Sequence, residues 1–123
     1  MSTHSNIVIK VKPADYSTVA DTINAKVDDK TPYIQIYSHN DGYPDHMLDE
    51  LETYFNDYDS ALNLILAGNT SGIYDGGSQT YTFQGESYED NVPWPVEHPS
   101  FDEDYLYVFE NDEWTVFNEN DID

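Results

Sequence analysis

Carboxylates are the main chemical resource of this chain. Asp45, Asp49, Glu52, Asn56 and Asp59 step by four, three, four and three residues. On a helix that spacing sets them in one row, with neighbours about 5–6 Å apart. Successive phosphates of a nucleic-acid strand are comparably spaced, an axial rise of about 3.4 Å per nucleotide being taken along a helical path. Such a row could stand in for a stretch of phosphate backbone. The same spacing is also the solvated face of any amphipathic helix, so the row gains meaning only from the charge around it.

That charge is segregated. The only cations are Lys10, Lys12, Lys26 and Lys30, offset by Asp15, Asp21, Asp28 and Asp29. From residue 31 to residue 123 there is no lysine or arginine and there are 21 Asp and Glu, so the formal charge of −21 belongs to this stretch. Like charges on one folded body repel and cost stability. A negative surface kept at that cost points to a positive partner, and we expect a basic nucleic-acid-binding protein. Nucleic acid itself and anionic membranes would repel the chain, because both are bound through Lys and Arg.

Further carboxylates form two more groups. Glu86, Glu89 and Asp90 fall on an expected loop. Asp102, Glu103 and Asp104 mark the entry of an expected hairpin, and Asp112 and Glu113, with Glu110 nearby, mark its tip. Charges there also discourage edge-to-edge aggregation. Eleven tyrosines are the second resource. They are too many to be all core, and tyrosine beside carboxylate offers large rigid contact area at low entropic cost. Tyr54 and Tyr88, each close to acids in the sequence, are the tyrosines expected at a contact; Tyr105 and Tyr107 read as ordinary strand residues.

Metal and catalytic chemistry find little support. His39, Asp41, Asp45 and His46 are the one metal-like cluster, but an EF-hand register with Gly42 at position six sets Tyr37 and Leu48 where carboxylate ligands are required. His4 and His98 are expected at the surface. No nucleophile elbow, phosphate-cradling glycine loop or arginine is present. With 25 carboxylates, no single pair stands out as acid and base. The expectation is a non-enzyme without cofactor or metal.

The elements that must position these groups read as one α+β domain, a small antiparallel sheet with a C-terminal hairpin packed on two or three helices. At 38% hydrophobic and 15% aromatic the chain is too apolar for acid-driven disorder. Residues 6–12 alternate as a strand, and Pro13 ends it and opens a helix reaching about Val27. A second strand spans residues 33–37, then a turn at Asn40-Asp41-Gly42. Asp45 reads as the N-cap of the next helix, whose apolar stripe is Leu48, Leu51, Phe55 and Tyr58. A short third helix begins at Asp59 or Ser60 and closes at Gly68. Residues 72–85 suit short strands and loops. The prolines of 92–96 imply an extended loop, and residues 105–110 and 113–117 a hairpin about Asn111-Asp112. Residues 118–123 are expected to fray. No cysteine is present, which suits a reducing compartment, and neither a secretory signal nor a membrane-length apolar run is read.

The start Met1-Ser2-Thr3, the turn His39-Asn40-Asp41-Gly42-Tyr43-Pro44, the Tyr58, Ala61, Leu64-Ile65, Gly68 and Ser71 pattern, and the run Tyr105-Leu106-Tyr107-Val108-Phe109 with Trp114 resemble a family of small bacteriophage and mobile-element proteins. Members often carry Trp where this chain has Asn40, and glycines where it has Asp45 and His46. The resemblance implies phage origin, and with it the cytoplasm of an infected bacterium. The composition is similar to that of DNA-mimic anti-CRISPR and anti-restriction proteins. The expectation is an inhibitor of a host defence nucleoprotein, with a CRISPR effector first and a restriction enzyme second. The alternative is a non-inhibitory phage interaction or structural protein whose acidity serves solubility or assembly. Salt adaptation fits less well, because the chain lacks arginine and has five alanines against ten asparagines.

Overall fold

A computed structural model describes residues 3–99 and 103–118. Strand β1, Ser5–Lys10, stops two residues earlier than the alternation predicts. Val11 instead donates its N–H to Pro32 O at 2.8 Å, and Pro13 opens a one-turn 3-10 segment, Pro13–Asp15. Helix α1, Tyr16–Ile23, ends four residues short of Val27 because Asn24 turns left-handed at φ 55°. Asparagine is among the few side chains that tolerate this conformation. Val27 reaches the core from the loop that follows.

Strand β2, Tyr33–Ser38, runs antiparallel to β1 with Ile7 opposite Ile36 and Ile9 opposite Ile34. After a turn in which Asp41 has φ 54°, helix α2 spans Pro44–Tyr54. Its cap is Tyr43 rather than Asp45; Pro44 takes the first helical position, where no N–H is needed. Asp45 lies in the first turn, where a carboxylate complements the helix dipole.

Helix α3, Tyr58–Leu66, starts from Asp57, whose carboxylate accepts from Ser60 N at 2.8 Å and from Ser60 Oγ at 3.0 Å. These bonds hold the Asp57 carboxyl below its ordinary pKa. The cap is thus two residues ahead of the expected start, and the helix closes at Ala67 before the left-handed Gly68.

Strands β3, Thr70–Tyr74, and β4, Gly77–Thr80, form a short irregular hairpin. Residues 94–96 correct the expected loop: β5, Trp94–Val96, pairs antiparallel with β2, Pro95 opposite Ile34. A proline is tolerated there because this short strand lies outermost. Strands β6, Tyr105–Glu110, and β7, Glu113–Asn118, form the expected hairpin about Asn111 (φ 56°) and Asp112 (φ 64°), the paired left-handed conformation of a tight type I′ turn. Asn118 is paired opposite Tyr105 and is not frayed; residues 119–123 lie outside the described residues.

The architecture is α+β, as expected, but the seven-stranded sheet is mixed rather than antiparallel, in the order β4-β3-β2-β1-β6-β7 with β5 also on β2. Two pairings are parallel. The α2–α3 crossover returns the chain to lay β3 parallel to β2 at Ser38 and Thr70. β6 lies beside β1 in the same direction, Ile7 opposite Tyr107.

All three helices contribute to the main core. Ile7, Ile9, Ile34, Ile36, Tyr107 and Phe109 of the sheet join Val19, Ile23, Met47, Leu51, Ala61 and Ile65 of the helices. Val8, Leu106 and Val108 form a second cluster on the other face with Tyr33 and Phe117. Tyr107 is fully buried and donates its hydroxyl to Gly42 O at 2.6 Å, tying the turn before α2 to the sheet. Burial pushes the Tyr107 phenol well above the usual range.

Tyr58 is a second buried anchor. Its hydroxyl accepts from Lys12 N at 2.9 Å and donates to Asp15 Oδ2 at 2.8 Å. Burial, reinforced by the Asp15 bond, lifts its pKa to about 12. A phenol whose folded-state pKa lies above its unfolded value near 10 contributes stability that is whole below pH 10 and lost as pH rises through 12. The melting temperature should therefore fall between about pH 10 and 12, and Tyr58→Phe should make that fall shallower. A 295 nm tyrosinate titration run with the melts checks the window.

Candidate functional site

Helix α2 presents three different stripes. Met47 and Leu51 face the core, with Leu48 and Phe55 packed beside them. His46, Glu50 and Tyr54, spaced by four, dock against the β3–β4 hairpin. His46 Nε2 donates to Ile73 O at 2.7 Å, Glu50 Oε1 accepts from Gly76 N at 3.0 Å, and the Tyr54 ring lies where a Cβ on Gly76 would stand 2.8 Å away. Only glycine, here at φ 79°, allows that close approach. The third stripe is Asp45, Asp49 and Glu52, all exposed.

Rings gather at the N-terminal end of α2. His46 lies between Tyr43 and Tyr74, with centroids 6.2 and 5.1 Å away. Tyr74 donates its hydroxyl to Asp41 Oδ2 at 2.6 Å. Burial, then the Asp41 hydrogen bond and charge, raise the Tyr74 pKa to about 12. Tyr43 is 41% exposed, Tyr54 48% and Tyr74 37%, so three of the four exposed large apolar side chains among the described residues lie on or beside α2 and the β3–β4 hairpin. The result is a ring surface edged by Asp41 and by the acidic stripe of α2.

The expected five-residue row is shorter in the structure. Residues 55–57 break the helix, so Asn56 lies between α2 and α3 and Asp59 belongs to the first turn of α3. The break has a local cause, because Asp57 takes extended φ/ψ as the cap of α3. Asp59 is exposed but on a different element from Asp45, Asp49 and Glu52.

Glu86, Glu89 and Asp90 are exposed on the loop of residues 81–91, as expected. Phe83, at 82% exposure, stands out from the same loop. Its turn is held by Gln84 N to Thr80 O, Glu86 N to Tyr81 O and Phe83 N to Thr80 Oγ1 at 3.2, 2.9 and 3.1 Å. Tyr88, expected at a contact, is half-buried and donates to Leu66 O at 2.5 Å, satisfying a carbonyl at the end of α3. Its role in the fold is therefore structural.

The hairpin acids are divided between two ends. Asp104 accepts from His4 N at 3.1 Å beside the start of β1, whereas Asp112 and Glu113 are exposed at the far turn. Six residues of strand at about 3.3 Å each separate them by roughly 20 Å, too far to act as one cluster. Glu103 is half-buried, and Asp102 lies outside the described residues.

Near Asp104, Tyr37 Oη is 2.7 Å from both His4 Nδ1 and His39 Nδ1. One phenol proton can serve only one of these nitrogens, so one imidazole must carry hydrogen on Nδ1 and the other accept there. Burial first, then Glu103, raises the Tyr37 pKa. The four metal-like residues are also drawn apart: His39 to Tyr37, Asp41 to Tyr74 and His46 to Ile73 O, while Asp45 is exposed in the first turn of α2. Among the described residues no three His, Asp or Glu side chains converge on one point.

Three features of the site are absent from the sequence expectations: the docking role of Glu50, the grouping of Tyr43 and Tyr74 about His46, and the exposure of Phe83. The four-residue spacing of His46, Glu50 and Tyr54 is a usable signal for the first. The chain matches no family model, no curated protein and no solved structure. Among the described residues no helix is long and apolar enough to cross a membrane.

Proposed function

We propose that this is a phage-encoded inhibitor of a host defence nucleoprotein, a CRISPR effector first and a restriction enzyme second. It occupies a Lys/Arg-lined nucleic-acid channel in the cytoplasm of the infected bacterium. The observation that carries this reading is the coincidence of Tyr43, Tyr54 and Tyr74 with the exposed carboxylates Asp45, Asp49 and Glu52 on a surface without cations. A solvated face made only for solubility has no need of exposed aromatic area. Carboxylates replace phosphates in pairing with Lys and Arg, and the tyrosine faces receive guanidinium groups. Nothing in this action requires a cofactor or a reaction.

The distribution of the remaining acids supports a narrower contact than the whole cation-free stretch. Asp112 and Glu113 lie far from Asp104 and serve as charge at a hairpin end. The mimic surface is α2 with the β3–β4 turn, supplemented by the loop of Glu86, Glu89 and Asp90. Phe83 is the apolar anchor of that loop, and rigid aromatic anchors dominate interface energies. Purified protein should displace labelled DNA from a guide-loaded CRISPR effector or a restriction enzyme. Phe83→Ser should raise the concentration needed by about tenfold. If the protein and DNA occupy the effector together, channel mimicry is wrong; unchanged displacement by the Phe83 variant removes that residue from the contact.

A further inference from the structure

Apart from the short proline-containing β5 on β2, the path of the sheet ends on two very different edges. β4 is four residues long, and its pairing with β3 shifts register between Thr70 and Ile73. A short, irregular strand is a poor template for another chain. β7 is six residues long and pairs with β6 in unbroken register from Glu113 to Asn118. It contains no proline, and from Trp114 to Asn118 it carries no charge. No other strand pairs with its outer side among the described residues. Glu113, its first residue, is the one charge on this strand. From Trp114 to Asn118 neither charge, proline nor bulge protects the edge against strand addition among the described residues.

We infer that β7 is a self-pairing edge through which a second copy of this chain extends the sheet. Identical strands paired antiparallel about a two-fold axis must set one residue opposite itself. With Thr115 on the axis, Trp114 faces Val116 and Glu113 faces Phe117. No carboxylate then opposes another within the strand, and a Thr–Thr pair is a favourable cross-strand contact. Thr115 is exposed, so its side chain is available at that position. The opposing term is the repulsion of two bodies of charge −21. Salt screens that repulsion and leaves the strand hydrogen bonds intact, so pairing tightens as salt rises. Binding to a basic partner has the opposite dependence.

Sedimentation equilibrium of the full chain tests this between about 0.05 and 1 M NaCl. The expected result is a monomer–dimer equilibrium whose association constant rises at least about tenfold across the series. Thr115→Asp sets two carboxylates against each other on the axis and should leave a folded monomer. Thr115→Cys, in a chain with no other cysteine, should cross-link to a dimer with a short bis-maleimide. A monomer at every salt concentration, or a dimer indifferent to Thr115→Asp, overturns the inference. So does capture of β7 by a cationic strand of a partner protein in place of a second copy. The surface on α2 is judged separately: a monomer that still displaces DNA removes only the edge pairing, and a dimer that does not displace DNA removes only the mimicry.

Discussion

Replacing Asp45, Asp49 and Glu52 together by lysine is expected to weaken binding to the proposed basic partner by at least about 100-fold while leaving the fold intact. All three side chains are exposed on one stripe of α2, and among the described residues none accepts a hydrogen bond or ion pair that the fold depends on. Their removal should shift the melting temperature little. Reversal does more than delete attractions, because each lysine would face a Lys or Arg of the partner, and close charge pairs across interfaces couple by about 1.5 kcal/mol or more. Isothermal titration against the partner, with circular dichroism as the fold control, checks both halves. The same reversal at Asp112 and Glu113 should cost under about fivefold, since those residues sit at the far end of the hairpin. Equal losses at both places would mean that net charge matters and the α2 surface does not.

Phe109→Ala should give the largest loss of stability, about 3–5 kcal/mol. Phe109 is buried in the central strand pairing between β1 and β7, and its ring meets Trp114 edge-on at 5.2 Å and 65°. Truncation removes the buried ring, leaves a cavity and breaks this aromatic pair. Trp114 in turn donates Nε1–H to Phe55 O at 2.9 Å, so the loss reaches the C-terminal end of α2. Against a domain stability of about 5–15 kcal/mol, the variant should be marginal. Urea unfolding by fluorescence reads the change as a lower midpoint at unchanged slope. A loss under about 1 kcal/mol would contradict the packing described for this face.

The parts of the fold legible in the sequence were those set by local chemistry. The hairpin of β6 and β7 follows from alternating apolar residues about Asn111-Asp112, and the presence of α2 from its apolar stripe, although its cap is Tyr43 and not the expected Asp45. Periodicity failed where a single residue outranked it. Asn24 ended α1 although Val27 continued the apolar spacing, and Asp57 divided what reads as one acidic row from Asp45 to Asp59. Sheet order was not legible, because parallel pairing of β1 with β6 joins residues about a hundred positions apart, with nothing local to announce it. For the candidate site, the exposure of Asp45, Asp49, Glu52 and Asp59 was readable from charge, but the burial of Glu50 and the half-burial of Glu103 were not. The assembly of Tyr43, His46 and Tyr74 was not, since it depends on α2 packing against a hairpin whose pairing is itself non-local.

The Asn40-Asp41-Gly42-Tyr43-Pro44 turn links fold to proposed contact. Asp41 takes the left-handed conformation and receives the Tyr74 hydroxyl. Gly42 sits where a Cβ would lie 2.9 Å from Ser5 Cβ and Oγ and from Thr3 O, while its own carbonyl accepts from Tyr107. Tyr43 caps α2 and joins the ring surface. One short segment thus fixes where the helix starts, how closely it approaches β1, and which rings stand beside its carboxylates. The distinctive motif of the sequence is thereby tied to the proposed surface through packing.

The central claim is that carboxylates of this chain replace nucleic-acid phosphates in a basic channel. The most direct measurement is the affinity for a guide-loaded CRISPR effector or restriction enzyme across a salt series, with and without competing DNA. The proposal predicts an association constant that falls steeply as salt rises, and full loss of binding when DNA fills the channel. An affinity independent of salt, or a stable complex containing both DNA and this protein, would contradict it.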